Sequence, residues 1–155
     1  VLKSLVQAFV QAPLPIVYPV HPRTRKRLHQ QRMWNKLFSS ENIQILPPLG
    51  YFDFLILMKN CEMILTDSGG IQEEATAPQI QKPVLVLRLS TERPEAVEAG
   101  FAEVVGVETE KILKAMELAI DQKTKLPQSS PYGDWSAGKK IVKILTEEIY
   151  SARTQ

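Results

Sequence analysis

The chain has 155 residues, 44% of them hydrophobic and 23% charged, enough apolar material for one sizeable core and better suited to a single domain, residues 1–155, than to two. A formal net charge of +2 gives no support to a nucleic-acid partner. The lone cysteine, Cys61, excludes an intrachain disulfide and a cysteine zinc site, and it suits a reducing compartment, so a cytoplasmic location is expected. No apolar stretch approaches the roughly 20 residues of a membrane span, and no spacing of residues suits a metal.

In chain order, "VLKSLVQAFVQ" (1–11) is already in helical periodicity, with Leu2, Leu5, Val6, Phe9 and Val10 on one face and no initiator methionine, as expected of a piece of a longer protein. "LPIVYPV" (14–20) reads as a strand, and "HPRTRKRLHQQRMWNKLF" (21–38) as one strongly basic helical stretch. "NIQIL" (42–46) is a second strand stopped by Pro47 and Pro48, followed by the apolar helix "YFDFLILMKNC" (51–61). "EMILTD" (62–67) is a third strand, then come two glycines and the helix "IQEEATA". "KPVLVLRL" (82–89) is a fourth strand, "TERPEAVEAG" (91–100) a short helix closed by Gly100, and "AEVVGV" (102–107) a fifth strand. "TEKILKAMELAIDQ" (109–122) is an amphipathic helix with Thr109 as N-cap, and "PYGDWS" (131–136) leads through Asp134 or Ser136 as N-cap into "AGKKIVKILTEEIYSAR".

Strands with little polar alternation, each followed by a helix, require an α/β fold: a Rossmann-like parallel sheet with helices on both faces. Ligands in such folds bind beyond the carboxyl ends of the strands, which directs attention to residues 20–23, 47–54, 67–74 and 89–95.

The stretch "ILTDSGGIQEEA" (64–75) is the most informative of these. A helix beginning at Gly69 or Gly70 offers unpaired N–H groups and the positive end of its dipole to an anion. The glycines remove the Cβ atoms that would hold a phosphate away, and Ser68 adds a hydroxyl. Glu73 and Glu74, about one turn further on, are placed to accept ribose hydroxyl protons. The competing reading is a tight β-to-α turn with carboxylates favoured by the helix dipole. The pattern fits neither GxGxxG nor the P-loop.

The strings "YPVHPRT", "ILTDSGGIQEEA", "KPVLVLR", "TERPEAVEAG" and "PYGDWSAGKKIV", five separate blocks in the family's order, resemble the carboxyl-terminal domain of the non-hydrolysing UDP-N-acetylglucosamine 2-epimerase family over residues 14–148. The resemblance implies one half of a two-domain GT-B architecture, with the UDP-sugar in the cleft. It implies elimination of UDP from UDP-GlcNAc and re-addition to give UDP-ManNAc, without metal or cofactor. The proton-transferring carboxylates would lie on an amino-terminal domain outside this chain, which alone would hold no catalytic residue and would not epimerise. It also implies that Ser68, Gly69 and Gly70 bind the diphosphate and that Glu74 takes the ribose hydroxyls. Phe54 would lie against the uracil, His21 would contact the diphosphate region, and Arg93 would supply positive charge near the phosphates or sugar. A homodimer is implied as well. Leu49 stands where the family often carries a polar residue near the base, and "TAPQIQKP" is about two residues longer than the usual connection. A hydrolysing relative, a GT-B glycosyltransferase or a non-enzymatic nucleotide-binding module would share the same loops.

Other features read more simply. Arg23, Arg25, Lys26, Arg27, Arg32 and Lys36 form a solvated helix face, with Met33–Leu37 and Trp34–Phe38 as apolar pairs toward the core. His29 is a surface residue and Cys61 core packing. Asp67 is expected to stabilise the turn, because a carboxylate beside two phosphates repels them. Arg93 is open to a local pair with Glu92.

Overall fold

Strands and helices alternate through the computed structural model, which describes residues 1–121, 126–134 and 136–152. Gln122, Trp135 and Arg153, each included in an expected element or loop, lie outside the described residues. The elements are α1 (Leu2–Val10), β1 (Ile16–Pro19), α2 (Pro22–Gln30), α3 (Trp34–Phe38), β2 (Ile43–Leu46), α4 (Tyr51–Asn60) and β3 (Ile64–Thr66). They continue with α5 (Gly69–Glu74), β4 (Val84–Val86), α6 (Pro94–Glu98), β5 (Ala102–Val104), α7 (Thr109–Asp121) and α8 (Ala137–Ala152).

All pairing is parallel. β1 runs beside β2 from Ile16–Ile43 to Pro19–Leu46. β4 lies between β3 and β5, with Val84 opposite both Ile64 and Ala102. Val84, Leu85 and Val86 are at most 2% exposed, so this strand is buried on both faces. Alternate side chains go to opposite layers. Leu85 and Leu87 join Ala8 of α1 and Ile112, Ala115 and Met116 of α7. Val84 and Val86 join Met58 of α4, Ala75 just past α5 and Ala96 of α6. The fold is therefore the expected α/β, Rossmann-like arrangement with helices on both faces.

Among the described residues the ladder hydrogen bonds form two groups, β1–β2 and β3–β4–β5. α1 joins them. Its Val6 belongs to the core around Val20, Leu28, Leu37 and Ile43, its Ala8 to the core under β4, and Phe9 packs against both. Thr109 strengthens the join: its hydroxyl donates to the Ser4 carbonyl at 3.0 Å, so it is a tether to α1 rather than the expected N-cap.

The basic stretch is two helices, not one. α2 stops at Gln30 because Arg32 turns into the left-handed region, φ 56°, and closes a Schellman cap. Arg32 N–H bonds His29 O at 3.0 Å, and Met33 N–H bonds Leu28 O at 2.9 Å. Met33 and Leu28 then pack in one cluster, the apolar contact that accompanies this cap. The basic side chains of α2 are exposed as expected, with Arg25 over the Trp34 ring at 4.9 Å. Phe38 departs from the expected inward pair: it stacks on Trp34 yet is 70% exposed.

α6 ends with the same device, but with glycine. Gly100 has φ +82°, and Phe101 N–H reaches Ala96 O at 2.9 Å. The left-handed conformation costs a non-glycine residue about 1–2 kcal/mol, so Arg32→Gly is expected to stabilise the fold by about 1 kcal/mol. Urea unfolding checks this; an unchanged or lower midpoint at the same m-value would refute it.

Candidate functional site

The turn after β3 is organised by Thr66, which is 7% exposed and accepts the Ser68 N–H on Oγ1 at 3.0 Å. Asp67, the expected stabiliser, is exposed, and the turn bond belongs to its neighbour. Ser68 is the N-cap of α5 with an extended backbone, φ −88° and ψ 126°, and its exposed side chain makes no cap hydrogen bond. Its carbonyl accepts the Gln72 N–H at 3.3 Å. The N–H groups of Gly69, Gly70 and Ile71 have no protein acceptor among the described residues. Neither Gly69 nor Gly70 has positive φ, so the turn conformation does not demand glycine. What glycine provides here is open ground in front of the amides.

That ground faces Arg93. A Cβ on Gly69 would lie 3.6 Å from the Cγ, Nε and Cζ of Arg93, so the side chain runs directly over this residue. Arg93 is the N-cap of α6, with Pro94 in the first helical position where a missing N–H costs nothing. Its Nε donates to the Glu73 carboxylate and one Nη donates to the Glu92 carbonyl at 2.9 Å. The expected Arg93–Glu92 ion pair is not formed; Glu92 pairs instead with Arg88 at 3.1 Å. Both Arg93 and Glu73 keep about a third of their side-chain surface in solvent, 35% and 36%. The pair is therefore worth under about 1 kcal/mol and acts mainly to orient the guanidinium.

Behind this pair lies a residue that sequence reasoning passed over. Gln72 is 0% exposed; its Nε2 donates to Ser68 O at 3.3 Å, and its Oε1 accepts from Thr91 Oγ1 at 2.6 Å. Thr91 Oγ1 in turn accepts the Arg93 N–H at 3.0 Å. The helical period does set Gln72 three residues from Ala75, whose side chain is buried, and that spacing is a signal for an inward-facing position.

The other sequence candidates lie on the loops and helices that follow the strands. His21, beyond β1, is exposed and caps α2, its Nδ1 accepting the Arg23 N–H at 3.2 Å. This leaves Nε2 as the proton-bearing nitrogen of the neutral ring, a donor for an outside acceptor. His before Pro at a strand end was the available signal for the cap. Phe54, one turn into α4, is half-buried against the cluster that includes Ile71 and Ala75, so it packs beside the helix that carries the turn. Glu74 is half-buried, and its carboxylate makes no hydrogen bond or ion pair among the described residues.

The structure thus brings Ser68, Gly69, Gly70 and Arg93 together, with Glu74 on the same helix. Free amides, a hydroxyl and a guanidinium on one turn form a receptor for a phosphorylated anion. A carboxylate one turn along is an acceptor for hydroxyl groups. No group of His, Cys, Asp and Glu among the described residues is arranged to hold a metal, and no described helix is long and apolar enough to cross a membrane.

The sequence profile of the family described as UDP-N-acetylglucosamine 2-epimerase matches residues 2–146. The UDP-N-acetylglucosamine 2-epimerase of Methanocaldococcus jannaschii is 46% identical over 131 residues, which is 84% of this chain and 35% of that protein. The Campylobacter jejuni protein of the same name is 43% identical over 138 residues, 85% of this chain and 34% of its own. A solved structure of the Methanocaldococcus jannaschii UDP-GlcNAc 2-epimerase superposes with a TM-score of 0.83 at 42% identity, covering 94% of this chain and 41% of that one. The same enzyme in complex with UDP-GlcNAc and UDP superposes with a TM-score of 0.80 at 40% identity over 94% of this chain and 40% of that one. This chain spans about 35–41% of the length of the Methanocaldococcus jannaschii protein. The match extends through every loop of the site just described, and the chain belongs to the UDP-N-acetylglucosamine 2-epimerase family.

Proposed function

We propose that this chain is the UDP-binding part of a UDP-GlcNAc 2-epimerase, gripping the diphosphate with the Ser68–Gly70 turn and Arg93. The observation that carries the reading is the run of unacceptored amides at Gly69 and Gly70 with the Arg93 side chain laid over Gly69. Ser68 Oγ and the His21 Nε2–H add donors, Glu74 accepts the ribose hydroxyls, and Phe54 lies against the uracil. The family match and the solved relative that holds UDP-GlcNAc and UDP support this assignment of ligand.

In the reaction proposed for the whole protein, the C2 proton leaves as the C1–O bond to UDP breaks, and the electron pair of the C–H bond forms the C1=C2 double bond. UDP departs carrying the electrons of the C1–O bond. Returning it with a proton on the other C2 face gives UDP-ManNAc. Charge accumulates on the departing diphosphate in the transition state, where fixed N–H donors and a guanidinium act most strongly. The carboxylates that move the C2 proton belong to a further domain of the protein, which also closes the cleft against water.

α8 supports the presence of that further domain. Ile141, Val142, Ile144 and Leu145 are each more than half exposed, a contiguous apolar strip that a folded neighbour would cover. The whole protein is proposed to act in the cytoplasm as a homodimer.

In titration calorimetry the chain is expected to bind UDP more tightly than ADP. Arg93→Ala and Glu74→Ala should each weaken UDP by roughly tenfold or more, as for loss of a hydrogen bond to a charged group. Equal affinity for the two nucleotides, or indifference to both substitutions, would end the assignment. For α8, the chain is expected to self-associate with rising concentration in analytical ultracentrifugation, and Ile141→Glu with Leu145→Glu to suppress this without changing UDP affinity. A chain that stays monomeric throughout would remove the argument for a covered face.

A further inference from the structure

Two loops make the anion receptor, and they follow different strands: the Ser68–Gly70 turn follows β3 and the Thr91–Arg93 turn follows β4. A diphosphate responds to the distance between them. The side chain that spans that distance from inside is Gln72, which is fully buried. A leucine would occupy similar space without a polar group to satisfy, whereas an unsatisfied buried amide costs about 1–3 kcal/mol. Gln72 is satisfied at both ends, and each partner fixes the next.

The direction of every bond in this chain is determined. Ser68 O can only accept, so the Gln72 NH2 must face it. Gln72 Oε1 therefore faces Thr91, whose one hydroxyl proton must be donated to it at 2.6 Å. The Thr91 oxygen is then free to accept, and it accepts the Arg93 N–H at 3.0 Å. No rotation of the amide or the hydroxyl preserves the set. The Arg93 backbone is thus tied to the Ser68 carbonyl through two side chains, one of them with no exposure to solvent. The guanidinium above is held more weakly, by the half-exposed Glu73 and the Glu92 carbonyl.

We infer that Gln72, acting through Thr91, is the positioning residue that sets Arg93 against the Ser68–Gly70 turn, and so fixes the spacing of guanidinium and free amides that the diphosphate must match. This rests on the diphosphate reading of the site. Neither Gln72 nor Thr91 touches the ligand; their effect passes through Arg93. The contribution they support is therefore the part of the affinity that Arg93 adds for the second phosphate.

The test compares UDP with UMP by calorimetry in the wild-type chain and in Arg93→Ala, Thr91→Val, Thr91→Ser, Gln72→Leu and the Thr91→Val/Arg93→Ala double variant. The wild-type preference for UDP over UMP is expected to fall with Arg93→Ala. Thr91→Val should reduce the same preference by about fivefold, within the usual range of coupling between linked residues, with UMP affinity kept. Thr91→Ser, which retains the hydroxyl, should restore it, and Thr91→Val should add nothing once Arg93 is alanine. Gln72→Leu should match Thr91→Val where circular dichroism shows it folded, and the threonine pair decides the question where it does not. Equal losses for UDP and UMP in Thr91→Val, or a Thr91→Val effect that survives in the Arg93→Ala background, would overturn the inference and leave the diphosphate site standing. Absence of UDP binding by the wild-type chain, or an unchanged UDP preference in Arg93→Ala, would overturn the diphosphate site itself and this inference with it.

Discussion

The parallel pairing of β3 with β4 is the constraint on which the site depends. With Ile64 opposite Val84 and Thr66 opposite Val86, both strands deliver their carboxyl ends to the same edge of the sheet. The Ser68 turn and the Arg93 turn therefore emerge side by side although they are some twenty residues apart in sequence. An antiparallel pair would have sent one of them to the far edge. The burial of β4 on both faces, Val84 and Val86 toward α4, α5 and α6 and Leu85 and Leu87 toward α1 and α7, is what makes this register costly to change. A one-residue slip would exchange the two layers of side chains throughout.

Upon that frame Arg93 brings one positive charge to the turn and Glu73 offsets it, with Asp67 and Glu74 as further carboxylates and only a fraction of a charge from the helix dipole. The unacceptored amides do not change this balance, yet they gain most when charge grows on a ligand oxygen. His21 has its Nδ1 committed to capping α2, which leaves Nε2 as the donor of the neutral ring.

Most of the architecture was legible because apolar runs and punctuation agree with each other. The strands at Ile64–Thr66 and Val84–Val86 and the helix closed by Gly100 follow from composition and from a glycine where φ is +82°. The break at Arg32 was not legible, since the same Schellman geometry is reached there by an arginine, and its signal, the Met33 contact with Leu28, exists only after folding. The Ser68–Gly70 turn was legible because a pair of glycines directly beyond an apolar run and ahead of a helical pattern marks a strand-to-helix turn with uncovered amides. Arg93 was expected near the turn only through the family resemblance, and not as the partner of Glu73, because local spacing favoured Glu92. Gln72 was the hardest. A glutamine beside two glutamates reads as helix surface, and only the arrival of the β4–α6 loop, with Thr91 in it, turns that position into core.

The loop before α8 shows how the site and the rest of the molecule are joined. Ser130 Oγ lies 2.6 Å from Thr76 Oγ1 just beyond α5, and Tyr132 packs against the core that contains Ala96 of α6. Burial and the neighbouring carboxylates Glu95 and Glu73 push the Tyr132 phenol above its ordinary pKa, so it is a neutral group beside the Arg93–Glu73 pair. Asp134 then accepts from the Ser136 N–H and hydroxyl and from Lys140, which holds its carboxyl well below the usual range and keeps the first turn of α8 anchored through neutral pH. A depressed carboxyl of this kind loses its contribution only as acid protonates it. Ser130 and Tyr132 are therefore fastened beside α5 and α6, the helices that Ser68 and Arg93 cap.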